Sequence, residues 1–153
     1  MIAILKSKIK IRIMQINDIE TVAKIDKDNY QFPWSAGIFR DCLLAGYHNQ
    51  IIEINKSIIG FSIMTLNIDG GHILNLCIKN NYRRYGYAER LIISMISFAK
   101  NHNKKKIMLE TRMSNSAAIS LYKKIGFFPV GIRPKYYRGE KNREDALLLA
   151  KNI

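Results

Sequence analysis

The sequence predicts an α/β domain with a mixed central sheet of about seven strands and about four helices, in the order βααβββαβαββ. Three observations predict it. Short apolar or alternating runs of strand length recur along the chain, with stretches of helical spacing between them. One compact apolar run, Ile73 to Ile78, passes through a polar loop directly into a helical pattern, as a buried strand does where it hands over to a helix. The 153 residues, 48% hydrophobic and 24% charged, suit one domain over residues 1–153. A domain of that size buries about 68–70% of its unfolded surface, enough for a core without disulfides or metals.

Lys8 to Met14 alternates charged and apolar residues, as a first strand does. Asn17-Asp18-Ile19-Glu20 resembles a capping box ahead of a helix that carries Ile19, Val22, Ala23 and Ile25 to about Asp28. Pro33 breaks that pattern, and Ser35 can cap a short second helix with Ile38, Phe39, Cys42 and Leu43 on one side. Ile51 to Ile54 and Ile58 to Leu66 read as a hairpin around Asn55-Lys56, and Asp69-Gly70-Gly71 turns into the central strand. Lys79-Asn80-Asn81 ends that strand. From Ala88 onward, Leu91, Ile92, Met95, Ile96 and Ala99 recur at helical spacing, to an end near Asn101 to Asn103. Lys106 to Thr111 is the next strand. Asn115 can cap a helix with Ala118, Ile119, Tyr122 and Ile125 on one face, and Gly126 suits the position after its end. Phe127 to Ile132 and Glu144 to Lys151 are the last two strands, joined by a polar, aromatic loop from Arg133 to Arg143.

Composition narrows the function classes. No apolar run approaches the ~18–20 residues of a membrane span, and Met1 to Lys10 holds no apolar segment of signal-peptide length, so a cytoplasmic protein without membrane contact is expected. Cys42 and Cys77 sit in apolar surroundings without metal-ligand spacing, which predicts buried free thiols and no metal site. The charge is strongly basic, 25 Lys+Arg against 12 Asp+Glu, a net +13. Such a surface attracts polyanions, whether organic phosphates or nucleic acid, but only Lys104-Lys105-Lys106 and Lys123-Lys124 cluster. Scattered lysines fit general compositional bias better than a dedicated nucleic-acid face.

The loop after the central strand reads Arg83-Arg84-Tyr85-Gly86-Tyr87-Ala88. A glycine there lets the backbone bend closely around a ligand, the N–H groups at the following helix start can cradle phosphate, and two arginines add charge-assisted donors. A basic loop before an ordinary helix is the competing reading. Arg83-x-x-Gly86-x-Ala88 after an apolar strand resembles the pyrophosphate loop of the GNAT acyl-CoA N-acyltransferases, with Ala88 as the less common last letter. Phe32-Pro33-Trp34-Ser35, Leu109-Glu110-Thr111-Arg112, Ser114 to Ile119, Leu121-Tyr122, Gly126-Phe127, Tyr136-Tyr137 and Arg143-Glu144-Asp145-Ala146 extend the likeness. Together they resemble the RimI-type branch, N-terminal acetyltransferases of ribosomal proteins, over roughly Ile9 to Ala150. Pro134 departs from that pattern, which usually has a polar residue there.

The resemblance implies a GNAT fold and acetyl-CoA as co-substrate. It implies that the strands carrying Cys77 and Glu110 splay apart, leaving the backbone of Leu76, Cys77 and Ile78 to pair with the pantetheine arm as an added strand. The pyrophosphate would lie on the amides of Arg84, Tyr85, Gly86, Tyr87, Ala88 and Glu89, with Arg83 opening the loop, and Asn115 would hydrogen-bond the arm nearer the thioester. Phe32, Pro33 and Trp34 would help to wall the acceptor peptide, although such aromatic density is also what a lid over a core looks like. Tyr136 and Tyr137 would flank the entering N-terminus, with Asp145 or Asp41 meeting its basic side chains.

Amine acetylation by direct transfer needs a neutral amine, a polarised carbonyl and a protonated leaving thiol. Glu110 interrupts an otherwise apolar strand, where a carboxylate needs a reason, and is the candidate general base; a Glu paired with a lysine or arginine at the strand end, such as Arg112 on the same face, is the alternative. Tyr122 is the candidate acid for the departing sulfur by the resemblance, and simple core by its helix face. Freeing a neutral α-amine at pH 7.4 costs roughly 1 kcal/mol or less, against about 4 kcal/mol for a lysine, which favours an N-terminal acceptor. Cys77 has no recognisable His partner. His48, His72 and His102 read as surface or strand-end residues, and only His72 lies near the candidate site. The expected function is acetylation of a protein N-terminus, most closely the N-terminal alanine of the eighteenth protein of the small ribosomal subunit. The alternatives are a lysine or small-amine acetyltransferase of the same fold and a non-catalytic CoA-binding or RNA-binding module, for which an intact Glu110 and Tyr122 would be superfluous.

Overall fold

The computed structural model describes residues 8–153. The leader expectation for Met1 to Lys10 falls largely on residues 1–7, outside the described residues. The element order is β1 (Ile9–Ile13), α1 (Ile19–Asn29), α2 (Ala36–Leu44), β2 (His48–Ile54), β3 (Ser57–Asn67), β4 (Gly70–Ile78), α3 (Tyr87–Asn101), β5 (Lys106–Arg112), α4 (Ser116–Ile125), β6 (Phe128–Tyr137) and β7 (Glu144–Asn152). This is the expected βααβββαβαββ succession. The seven strands form one sheet in the order β1-β2-β3-β4-β5-β7-β6, in which β4 and β5 run parallel while β1/β2, β5/β7 and β6/β7 are antiparallel.

Several boundaries differ from the sequence reading, and β4 starts at Gly70, so that Gly70 and Gly71 lie on the strand rather than in the turn before it. A 3-10 turn over Ile16–Asp18 precedes α1, so Asn17 lies inside the turn rather than capping a helix. Asp18 instead reaches back to the Gln15 amide at 2.8 Å and takes both terminal nitrogens of Arg12, and this pairing holds its carboxyl below the usual range. Strand β2 begins at His48, because buried Asn49 and Gln50 find partners in Cys42 O, Tyr47 O and Ser62 Oγ and can be carried into the sheet. Strand β6 continues past Ile132 to Tyr137, which puts Tyr136 and Tyr137 on the strand rather than in the loop.

The described residues divide into two compact units, residues 8–63 with 75–91 and residues 64–74 with 92–153. In the first, Ile52, Ile59, Ile78 and Leu91 form a buried cluster with Ile9, Ile11, Ile54 and Tyr82 against it, and Phe39 meets Phe61 edge-on at 5.2 Å. The β2/β3 hairpin turns on Asn55 and Lys56, both at positive φ (+49° and +69°), as a tight two-residue turn requires. In the second unit Ile107, Leu109, Ala146, Leu149 and Ala150 are buried along β5 and β7. Helix α4 ends at Gly126 with φ +109°, and the Phe127 amide closes back on Tyr122 O at 3.0 Å, which sets the two rings 5.7 Å apart. Both cysteines are free and buried. Among the described residues no helix is long and apolar enough to cross a membrane.

Candidate active site

In the first unit β4 ends where Lys79 N donates to Ile59 O at 2.7 Å, and a 3-10 turn, Asn80–Tyr82, leads into the loop. Arg83 is turned back on the protein: its Nε donates to Ile78 O at 3.2 Å and its Nη2 to Asn29 Oδ1 at 2.7 Å. The loop is thus stapled at its entry to both β4 and α1. Arg84 and Gly86 then adopt positive φ, +67° and +83°, and α3 starts as Arg90 N closes on Gly86 O at 3.1 Å. Left-handed residues of this kind turn successive N–H groups to one side and make an anion-binding concavity, and the first turn of a helix, here from Tyr87, points its N–H groups out of the helix start. Nothing lies within 4 Å of the place a Gly86 Cβ would occupy, so this glycine answers to its φ and not to crowding. Tyr85 is 71% exposed beside Tyr87, with ring centres 6.2 Å apart. The residues present fit a bound pyrophosphate.

Upstream, Leu76 O accepts from the Tyr30 hydroxyl at 2.8 Å. Cys77 is 2% exposed, and burial followed by the Asp26 charge pushes its thiol up to about 11, which removes it as a nucleophile at neutral pH. Buried Asp26 ties this end of the sheet to the aromatic segment, accepting from Trp34 N at 2.7 Å and from Asn75 Nδ2 at 3.2 Å. Trp34 rests on Phe39, centroids 5.3 Å apart, whereas Phe32 and Pro33 stand exposed. The segment is anchored at its last residue and presents its first two.

In the second unit the register places a row of polar side chains on one sheet face. His72 pairs with Met108 across the parallel β4/β5 ladder, and Glu110, two residues on, shares that face. Glu110 Oε2 lies 2.5 Å from His72 Nε2, and its Oε1 accepts from Arg133 Nε at 3.2 Å. Burial alone would push the Glu110 carboxyl up; the His72 hydrogen bond and charge, with the charge of Arg133, outweigh it and hold the group below the usual carboxylate range. Arg112 Nη1 donates to Glu144 at 3.0 Å, and the Arg112 guanidinium lies 4.7 Å from the centre of the Tyr137 ring. Burial first, and then the nearby Tyr136 and Glu110, raise the Tyr137 hydroxyl well above the usual phenol range. Tyr122 itself is buried, and burial pushes it up to about 12, so it keeps its proton across the neutral range.

Asn115 caps α4 with Oδ1, accepting from Ala118 N at 3.2 Å, which leaves its amide NH₂ to donate elsewhere. Tyr136 is 45% exposed at the end of β6. The turn beyond it is pinned by Arg143, donating to Lys135 O at 2.8 Å and Tyr136 O at 2.7 Å, and by Asp145, which accepts from Lys135 N. Sequence reasoning gave no role to Asn29 or Arg133 and left His72 without one. Only His72 left a signal in the sequence: a polar residue one position outside an apolar strand, two positions short of Leu74 on the same face.

Residues 16–127 match the model of the Acetyltransferase (GNAT) family. A Haemophilus influenzae protein named ribosomal protein bS18-alanine N-acetyltransferase is 34% identical over 134 residues, 87% of this chain and 91% of its own length. The crystal structure of the ribosomal-protein-S18-alanine N-acetyltransferase from Escherichia coli superposes with a TM-score of 0.89 at 29% identity, covering 95% of this chain and 94% of that one. The NatC complex bound to Gag peptide and CoA contains a chain that superposes at 0.82 with 26% identity, covering 95% of this chain and 99% of its own. A strand, a left-handed basic loop and a helix start in one unit, with a paired carboxylate in the other, are thus found in a chain whose sequence matches one family model over most of its length: it belongs to the Acetyltransferase (GNAT) family.

Proposed function

We propose that this enzyme transfers an acetyl group from acetyl-CoA to the N-terminal α-amine of a protein, its acceptor being the N-terminal alanine of ribosomal protein bS18. The observation that carries amine acylation is Glu110, a carboxylate with a 7%-exposed side chain, kept ionised by His72 and Arg133 in the unit that also holds the buried, protonated Tyr122. A binding module has no use for that arrangement. The acceptor rests on the relatives named above and on the pKa arithmetic that favours an α-amine over lysine.

In this reading the amides of Arg84 through Glu89 take the pyrophosphate, held in shape by the Arg83 staple. The backbone of Leu76, Cys77 and Ile78 receives the pantetheine arm, and the amide of Asn115 binds it nearer the thioester. Phe32, Pro33 and Trp34, and separately Tyr136 and Tyr137, are assigned to acceptor recognition. Glu110 supplies the general-base side of the transfer and Tyr122 the general-acid side. Ribosomal proteins are made in the cytoplasm, and the enzyme is assigned there.

The test is to incubate the protein with acetyl-CoA and a short peptide beginning with alanine, alongside an N-terminally blocked twin carrying a lysine, and follow both by mass spectrometry. Acetylation of the free alanine terminus alone is expected. Modification of lysine alone would transfer the reading to a side-chain acetyltransferase, and silence on both with acetyl-CoA still bound would leave a binding module.

A further inference from the structure

Each oxygen of Glu110 already accepts a hydrogen bond, which leaves at most its second lone-pair site for an amine. Oε2 is taken by His72 and Oε1 by Arg133, and the carboxylate side chain is only 7% exposed, whereas the imidazole bonded to it is 29% exposed. An ionised carboxylate only accepts hydrogen bonds, so Nε2 of His72 carries the hydrogen in this contact. Whenever the ring is neutral its lone pair is then on Nδ1, and an imidazolium formed there has the carboxylate directly behind it.

From this geometry we infer that His72 is the group that takes the amine's proton, with Glu110 acting through it as the orienting carboxylate and Arg133 holding the second oxygen of Glu110. The inference rests on the amine-acetylation reading above and refines it: Glu110 becomes a positioning residue, and His72 the catalytic one. In the step, the neutral amine forms the new N–C bond at the thioester carbonyl, the C–S bond breaks, the proton on nitrogen passes to His72 Nδ1, and the sulfur leaves with the proton of Tyr122. The imidazolium returns its proton through solvent to the Tyr122 phenolate. In sum one proton moves from nitrogen to sulfur, and both side chains end as they began.

The experiment uses the full chain and acetyl-CoA, with the alanine peptide or whichever amine the wild type acetylates. His72→Gln keeps an N–H donor for Glu110 but offers no basic nitrogen, and it is expected to lose about 10²–10⁴-fold in kcat/KM with acetyl-CoA affinity unchanged. Added imidazole is expected to restore turnover to His72→Ala in proportion to its free-base concentration. Near wild-type turnover in His72→Gln, or a His72→Ala enzyme indifferent to imidazole, overturns the inference. The ¹⁵N shifts of His72 in the wild type decide it without any acceptor: the Nε2–H form is expected, and an Nδ1–H form sinks it. A wild type that acetylates no peptide refutes the acceptor assignment alone, because the tautomer still reports on His72.

Discussion

Tyr122 shows how one side chain can be core and chemistry at once. Its ring packs against Phe127 with centroids 5.7 Å apart, and burial pushes its hydroxyl up to about 12. A phenol so weakly acidic is a reluctant donor: handing its proton even to a free thiolate of reference pKa about 8.5 is uphill by roughly 5 kcal/mol, so the transfer must be coupled to reprotonation of the phenolate by the proton the amine gives up. Tyr122→Phe removes the hydroxyl and keeps the ring contact, so the fold and acetyl-CoA binding should survive. Turnover is expected to fall about 10²–10⁴-fold, the range of a general acid, as measured by steady-state kinetics beside a binding titration. Wild-type-like turnover would remove Tyr122 from the mechanism and leave it as core. The partners of Glu110 were not legible at this scale. Period-two alternation puts Arg112 on its face, but the residues that reach it, His72 and Arg133, come from β4 and β6 through a register that sequence does not print.

At the scale of elements, the strand-loop-helix junction was legible because each part has its own local signal. An apolar run stops at polar residues, a glycine follows, and helical spacing begins. What sequence could not supply was the fate of Arg83, which looks like a phosphate donor and is spent on Ile78 O and Asn29, two partners brought by different elements. The same applies to β6, whose sequence after Ile132 is polar and contains Pro134 yet continues as strand, with a bulge between Arg133 and Tyr137. The loop's shape rests on Gly86 at φ +83°. With open space around it, Gly86→Ala meets no clash, and its cost is the left-handed conformation alone, about 1–2 kcal/mol for a residue with a Cβ. Charged against the ligand-competent loop, that corresponds to roughly 5–30-fold weaker acetyl-CoA binding. Isothermal titration checks it: an unchanged Kd would mean that the pyrophosphate does not depend on this turn.

Across the whole molecule charge is the strongest influence on substrate capture, and it acts on the two substrates in opposite directions. A net +13 draws in a CoA polyphosphate and repels an acceptor peptide with basic side chains, unless acidic groups offset it locally. Two of the nearest candidates are already engaged, since Glu144 accepts from Arg112 and the Ser114 amide, and Asp145 accepts from Lys135 N. Salt separates the two effects, because the screening length shrinks from about 30 Å at 0.01 M to about 8 Å at 0.15 M. Over that range kcat/KM for acetyl-CoA should fall several-fold. For an alanine-starting peptide with lysines behind the terminus it should rise, and for one with aspartates it should fall, so that the two peptides converge at high salt. Salt-independent rates with both peptides would mean that the positive charge lies away from the reacting groups and is a property of composition rather than of substrate capture.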